Sequence, residues 1–434
     1  MHLKARSPSA VASVLGVLLS FVLAGQALAI SWEPAVRLTQ TDANGWPGSL
    51  GAAANRLHLV YRQLDADGRI IVYRRSTDGG VSWRAPVELS RPAAANSVRS
   101  SLSVEGVDID VVWVEADFDT GTSAVWYRRS TDGGANWNAP LRVSPTTTNS
   151  QGIPAVTRSG SQVVVAYFDL ATGRLYARRS LDGGALWQPR VAIGSSTLQP
   201  YEDGARDGVP ALDFGTGVLY ATWASSETSI VVRRSLDGGV TWGSTVTLET
   251  KADGTTPRVS AAGSQAMVTF GYFNSQVNGS ARVRKTTDKG ATWAPARQVS
   301  SGTRPASSQD VLRAGGKWRI SYIQCLANDC STSDGLFYRD SPDGVTWSTA
   351  TRYSTTARPY MSSLGLAYHT YNGKTWTSWV GFYGGASDGD IYVRGSSTGT
   401  ATATEESGAS GSGPGAAAGG SPMSVPAAGR TERD

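Results

Sequence analysis

Apolar and polar residues alternate in short runs along most of the chain, and Gly, Asp and Ser break the runs at close intervals. Ile70–Arg74 (IIVYR) is β-branched and aromatic, which predicts a strand. Between Ser101 and Val143 four such runs follow one another: Ser101–Val104, Asp108–Val114, Ala124–Arg129 and Ala139–Val143. Strands this short, with turn signals between them, predict a repetitive all-β architecture.

One turn is copied almost unchanged. Tyr73–Trp83 reads YRRSTDGGVSW, Arg128–Trp137 RRSTDGGANW, Arg178–Trp187 RRSLDGGALW and Arg233–Trp242 RRSLDGGVTW. Looser copies are RKTTDKGATW at Arg284–Trp293 and RDSPDGVTW at Arg339–Trp347. Asp-Gly-Gly supplies a tight turn, because Gly tolerates positive φ. The Asp carboxylate and the Ser or Thr hydroxyl accept hydrogen bonds from turn N–H groups, and the Trp carries a large apolar surface into the next strand. Asp78, Asp132, Asp182, Asp237, Asp288 and Asp343 are therefore read as structural turn residues rather than as catalytic acids. The Asp343 copy is one residue shorter between Asp and Trp, so its turn is expected to differ.

The turn Asp residues are spaced 50 to 55 apart, and a further step reaches Thr398 in an eroded seventh copy, VRGSSTG. A period of this length with four short strands is the size of a propeller blade. The ends of the chain fix the count. The seventh copy has three strands, Leu364–Tyr368, Thr375–Gly381 and Asp390–Arg394, and lacks a fourth. Trp32–Thr39 (WEPAVRLT) matches the fourth-strand pattern of WRAPVELS and WNAPLRVS. The expectation is an all-β, seven-bladed β-propeller of four-stranded antiparallel blades, the last blade closed by the N-terminal strand. Closure removes the open edge.

Composition adds domain boundaries. Met1–Ala29 has a basic start at Lys4 and Arg6, an apolar stretch Val11–Ala24 and a small-x-small site at Ala27–Ala29, the pattern of a secretory signal. The expected organisation is a signal peptide over 1–29, a propeller over 30–398 and a disordered tail over 399–434, rich in Gly, Ala, Ser and Pro. The location implied is secreted or periplasmic, with no membrane span after cleavage. Losing Lys4 and Arg6 takes the formal charge from +5 to +3, too mild to imply nucleic acid. Cys325 and Cys330, the two cysteines, are expected to form a disulfide in an exported chain. A metal site lacks ligands: His58 and His369 have no Cys or His partner at metal spacing and read as packed strand residues. No metal or cofactor is expected.

Repeated Ser-x-Asp-x-Gly-x-x-Trp hairpins resemble those of the Asp-box (bacterial neuraminidase repeat) proteins, the superfamily of the sialidases. The resemblance covers Trp32 to about Gly399. It implies a propeller and leaves activity open, since fold does not fix function. In sialidases an Arg triad holds the substrate carboxylate, a Tyr attacks with a Glu as base, and an Asp is the acid/base. The first Arg normally lies in a Phe/Tyr-Arg-Ile-Pro stretch. The comparable stretches here are Gly45-Trp46-Pro47, Gly152-Ile153-Pro154 and Gly208-Val209-Pro210, and none has the Arg. Sialidase catalytic domains also have six blades, not seven.

A propeller's inter-blade loops, and the loops between its second and third strands, share one face around the channel. The longest is Gly194–Val209, with Tyr201, Glu202, Asp203, Arg206 and Asp207. Trp46, Arg99, Arg304, Arg358 and Tyr360 lie in other inter-blade loops, and Glu115, Asp117 and Asp119 between second and third strands. Arg, carboxylates and aromatics suit a mouth that binds sugars or acids. The reading is a recognition module that binds glycan or extracellular protein on this loop face. The alternative is a glycoside hydrolase of exo-sialidase type.

Overall fold

The structure, a computed structural model, describes residues 32–39, 46–65, 68–90, 96–117, 120–145, 154–169, 171–198, 209–252, 256–274, 277–300, 304–326, 333–353, 360–369, 373–382 and 390–396. Residues 1–31 and 397–434, which hold the expected signal, the expected tail and Thr398, lie outside the described residues, as do Tyr201–Asp207, Asp119, Cys330 and Arg358.

Seven four-stranded antiparallel sheets form the blades of a β-propeller. Blades 1 to 6 begin with the strands Trp46–Ala53, Asn96–Glu105, Ala155–Ser159, Ala211–Gly215, Arg258–Ala262 and Ala306–Ala314, and blade 7 with Tyr360–His369. These seven inner strands touch in a closed ring, the first against the last. Val36–Arg37 supplies the fourth strand of blade 7, pairing Val36 with Val393 and Arg37 with Tyr392. The expected closure is therefore present, reinforced by ion pairs from Arg37 to Asp390 and from Lys374 to Glu33. The core is divided. Each apolar cluster lies between neighbouring blades, as Val60, Ile71 and Tyr73 of blade 1 do against Ile109, Val111 and Trp113 of blade 2.

The copied turn keeps one hydrogen-bond scheme in blades 1 to 5 and a shortened form of it in blade 6. In blade 2 the Ser130 hydroxyl donates to Asp132 Oδ1 at 2.8 Å and accepts the Gly134 N–H at 2.8 Å. Asp132 Oδ1 also accepts the N–H groups of Ala135 and Asn136, each at 2.9 Å. In blade 6 the shorter turn brings Gly344 N, three residues on rather than four, to the Ser341 hydroxyl at 2.7 Å. Donors aimed at the carboxylate lower its pKa: hydrogen bonds from Thr241 and Ser235 hold Asp237 at about 2. At Gly80, Gly134 and Gly184 the second Gly of the turn lies directly on the preceding blade. A Cβ on Gly184, where φ is +94°, would stand 1.9 Å from the Tyr127 hydroxyl. Blade 5 has Lys289 in place of the first Gly, held at φ +56°.

The first Arg after each third-strand aromatic or aliphatic residue joins the blades, a role the sequence pattern did not disclose. Arg178 Nε donates to Gln188 O of its own blade at 2.9 Å, and Nη1 to Val143 O of the preceding blade at 2.7 Å. Arg128, Arg233, Arg284 and Arg339 repeat the reach to Leu89, Ile193, Leu248 and Val299 carbonyls at 2.7 to 3.0 Å. Arg74 to Leu38 O and Arg394 to Tyr353 O complete the circle. All seven acceptor residues bury their side chains at or just past a fourth strand.

The six motif Trp side chains are half-buried. Each forms the lid of an inter-blade cluster. Trp137 meets Tyr73 of the preceding blade edge-on at 4.8 Å, and Trp187 meets Tyr127 at 5.0 Å. Trp32 takes the seventh place, stacked on Tyr353 at 4.9 Å. The fourth strands are shorter than expected, two residues in blade 2 (Leu141–Arg142). Pro140, immediately before it, has no N–H to extend the ladder.

His58 is fully buried and its Nδ1 lies 2.6 Å from the Tyr73 hydroxyl. Burial, then the charges of Arg56 and Arg75, pushes its pKa down to about 3.

Arg178→Met will lower stability by about 2–3 kcal/mol in urea denaturation, because the part-buried Val143 carbonyl loses its charged donor. Arg174→Met, at an exposed position, will change it by less than about 0.5 kcal/mol. Gly184→Ala will cost about 3 kcal/mol through overpacking and strain, whereas Lys289→Gly, relieving a left-handed non-Gly residue, will stabilise by about 1 kcal/mol. An undiminished melting temperature in Gly184→Ala would contradict the packing of the turn on its neighbour.

Acid titration separates two sources of stability. His58 has a folded pKa below its unfolded one, so its contribution is complete above about 6.5 and is lost as pH falls toward 3. Asp237 contributes above the ordinary carboxylate range and its share is lost only as pH falls toward about 2. In His58→Gln the loss between pH 6.5 and 4 will flatten, with the steeper limb below pH 4 retained; equal slopes in both proteins would refute this.

Candidate functional site

Second strands run toward the face where second-to-third turns and inter-blade connections lie, so their last residues reach the mouth. Side chains two apart share one face of a strand. On blade 1, Val60 and Ile71 face blade 2. Arg62 and Arg69 extend that face to the mouth. On blade 2, Val111 and Trp113 face blade 1, and Glu115 and Asp117 extend that face upward. Arg99, near the start of the blade 2 inner strand, adds a third guanidinium.

The charges converge. Arg62 is buried, and burial together with the fields of Arg69 and Arg99 pulls its pKa down to about 9. It stays protonated at neutral pH. Glu115 is buried and accepts the Trp113 indole N–H at 3.1 Å. Arg62, Arg69, Arg99, Glu115 and Asp117 each have an interaction partner. Such a mouth presents bidentate donors for anionic oxygens and carboxylate acceptors for hydroxyls.

Of the residues expected from sequence, Arg99, Glu115 and Asp117 come together here. Trp46 opens the blade 1 inner strand, paired in the ladder with Arg62. Arg304 stands on blade 6, where Nη1 donates to Asp334 Oδ2 at 3.0 Å; Asp334 also lies 3.7 Å from Arg352. Tyr360 begins the inner strand of blade 7, paired with Phe382. The remaining candidates, Tyr201, Glu202, Asp203, Arg206, Asp207 and Arg358, fall outside the described residues. Arg62 and Arg69 escaped the sequence reading. Their signal was a charge at strand positions whose parity points into a blade interface.

Deep charges elsewhere tie strands and blades together. Arg158 of blade 3 reaches Asp110 of blade 2 with Nε at 2.5 Å and Nη2 at 2.8 Å. Arg319 and Asp340 pair through two bonds of 2.6 Å. Among the described residues no three His, Cys, Asp or Glu side chains gather as metal ligands.

No family model matches the chain, and no curated protein matches it. Solved structures do. A polysaccharide lyase of family PL25, an ulvan lyase bound to -[GlcA(1-4)Rha3S]-, superposes with a TM-score of 0.54 at 11% identity, over 83% of this chain and 95% of that one. The phage phi92 endosialidase gives 0.51 at 10% identity, over 89% and 72%. A Trypanosoma rangeli sialidase gives 0.50 at 13% identity, over 81% and 53%. At such identities the likeness is one of fold: these neighbours are sialidase and other propeller enzymes.

Charge at the mouth has a measurable consequence. Arg62 and Arg99 meet near blade 2, so Arg99→Gln will raise the Arg62 pKa, because the like charge that lowers it is gone. Guanidinium NMR titration between pH 8 and 11 checks the direction; an unchanged Arg62 would separate the two residues.

Proposed function

We propose that this chain is an exported Asp-box propeller that recognises acidic glycans at the mouth between blades 1 and 2. The observation that carries the reading is the convergence of Arg62, Arg69 and Arg99 beside Glu115 and Asp117. Guanidinium forks suit carboxylate and sulfate groups, and the two acids suit sugar hydroxyls. The fold neighbours give support of a general kind: one is bound to a glucuronate- and sulfate-bearing saccharide, and others are sialidases. Binding rather than turnover is favoured, because no Phe/Tyr-Arg-Ile-Pro stretch leads an Arg triad in this sequence. The signal pattern of Met1–Ala29 supports a secreted or periplasmic location. An exported location also favours a disulfide between Cys325, buried at the end of a blade 6 strand, and Cys330.

A glycan array followed by calorimetry tests the reading. Sulfated or uronate-bearing oligosaccharides will bind, neutral ones will not, and affinity will fall as salt rises. Arg99→Gln will weaken binding about tenfold or more, the scale of one charge-assisted pair, and will leave the melting temperature within a few degrees. Equal binding of neutral and acidic glycans would overturn the proposal. Preferential binding of a protein ligand with no glycan response would also overturn it, and turnover of a sialoside would transfer the reading to the hydrolase.

A further inference from the structure

A second group stands across the ring, where the inner strands of blades 5 and 6 meet. Side chains on these strands reach from one blade to the next. Asp213 Oδ2 of blade 4 accepts the Ala261 N–H of blade 5 at 2.7 Å, and the Ser260 hydroxyl of blade 5 accepts the Arg313 N–H of blade 6 at 3.0 Å. Arg258 precedes Ser260 by two residues and so shares its face, toward the inner strand of blade 6. It lies deep in the molecule, beside Asp310 of that strand, yet part of its side chain keeps contact with solvent. Arg258 thus sits on an innermost strand of the ring, facing the next blade, with part of its side chain in solvent.

Its partners do not match its depth. Nη1 donates to Pro257 O at 3.2 Å, and that is its one hydrogen bond among the described residues. Compare Arg158, which uses Nε and Nη2 on Asp110 and Nη1 on Gly160 O, and Arg319, doubly bonded to Asp340. Buried guanidinium groups are ordinarily paired, since desolvating the charge is costly. In Arg258 neither Nε nor Nη2 bonds to protein among the described residues, and neither is among the buried polar atoms left without a partner. The Nε–Nη2 edge is a planar fork whose spacing matches two oxygens of one anionic group.

We propose that Arg258 holds a two-oxygen anionic group, of carboxylate or sulfate type, where the inner strands of blades 5 and 6 meet. The site is distinct from the mouth at blades 1 and 2 and does not depend on glycan recognition there. Asp310 sets its strength. A carboxylate beside the guanidinium offsets part of the positive field, so affinity is modest and rises when that charge is removed.

Thermal denaturation at constant ionic strength tests this, with sodium sulfate, sodium acetate or a glucuronate disaccharide replacing chloride. The melting temperature of the full chain will rise and saturate with at least one of them, as binding to the folded state requires. A larger response to the free ions identifies a solution anion as the occupant, and a larger response to the disaccharide identifies a saccharide. Arg258→Met will lose the saturable part. Asp310→Asn will lower the half-saturating concentration by about threefold or more, which keeps the proposal testable if Arg258→Met folds poorly. All arms are run in an Arg99→Gln background, which weakens the mouth between blades 1 and 2, and there Arg174→Met, at an exposed position of blade 3, will keep the response. Wild-type behaviour in Arg258→Met would overturn the proposal. So would an unchanged midpoint in Asp310→Asn, loss of the response in Arg174→Met, or absence of any saturable rise with Arg258 and Asp310 intact.

Discussion

The ring depends on one interaction made seven times: a guanidinium reaching across a blade boundary to a backbone carbonyl. A fourth strand of two residues pairs with so little of its neighbour that it would otherwise leave polar backbone at the seam. The next blade's Arg supplies the missing donor while its aliphatic stem covers the joint. Because Nε is fixed to the Arg residue's own blade and Nη1 to the one before, the planar group sets both spacing and angle between sheets. A lysine offers no such two-ended geometry.

This constraint explains the turn chemistry. Once blades are held this close, the loop after each third strand runs against its neighbour, and the second Gly of the turn has no room for a Cβ at Gly80, Gly134 or Gly184. The Asp carboxylate then organises a loop that cannot be fastened by side-chain bulk. The scaffold is rigid on the turn face, and the opposite face is left to vary. There the inward parity of a strand carries Arg62, Glu115 and Asp117 where the same parity lower down carries Val60, Val111 and Trp113. A stripe that is apolar in the body of the interface becomes ionic at its rim.

Local chemistry was readable from sequence because each hairpin is contained in about a dozen residues. The same is true of the ring count, which needed only the spare strand around Val36 and the incomplete set ending at Arg394. The Arg residues were visible as pairs but not as joints, since their acceptors, such as Val143 for Arg178, lie 35 residues away in another blade. The half-burial of the motif Trp residues follows from a core divided among seven seams, each too thin to enclose an indole at its outer end. At the mouth, Arg99 and Asp117 were legible as loop-face charges. Arg62 and Arg69 were not, because within a strand pattern they read as ordinary solvent-facing positions until the neighbouring blade is known.

The N-terminal strand has a history as well as a place. Thr39 donates its hydroxyl to Asp390, and 351 residues of chain separate the two. At about 5–20 residues per second of synthesis, roughly 20–70 s pass between the appearance of the first partner and the second. Through that interval the first-made strand has no mate, and blade 1 presents its unjoined side to whatever is nearby. The propeller is thus begun with the piece it will use last, and until the final blade exists any chaperone that occupies Trp32–Thr39 stands in for residues not yet made.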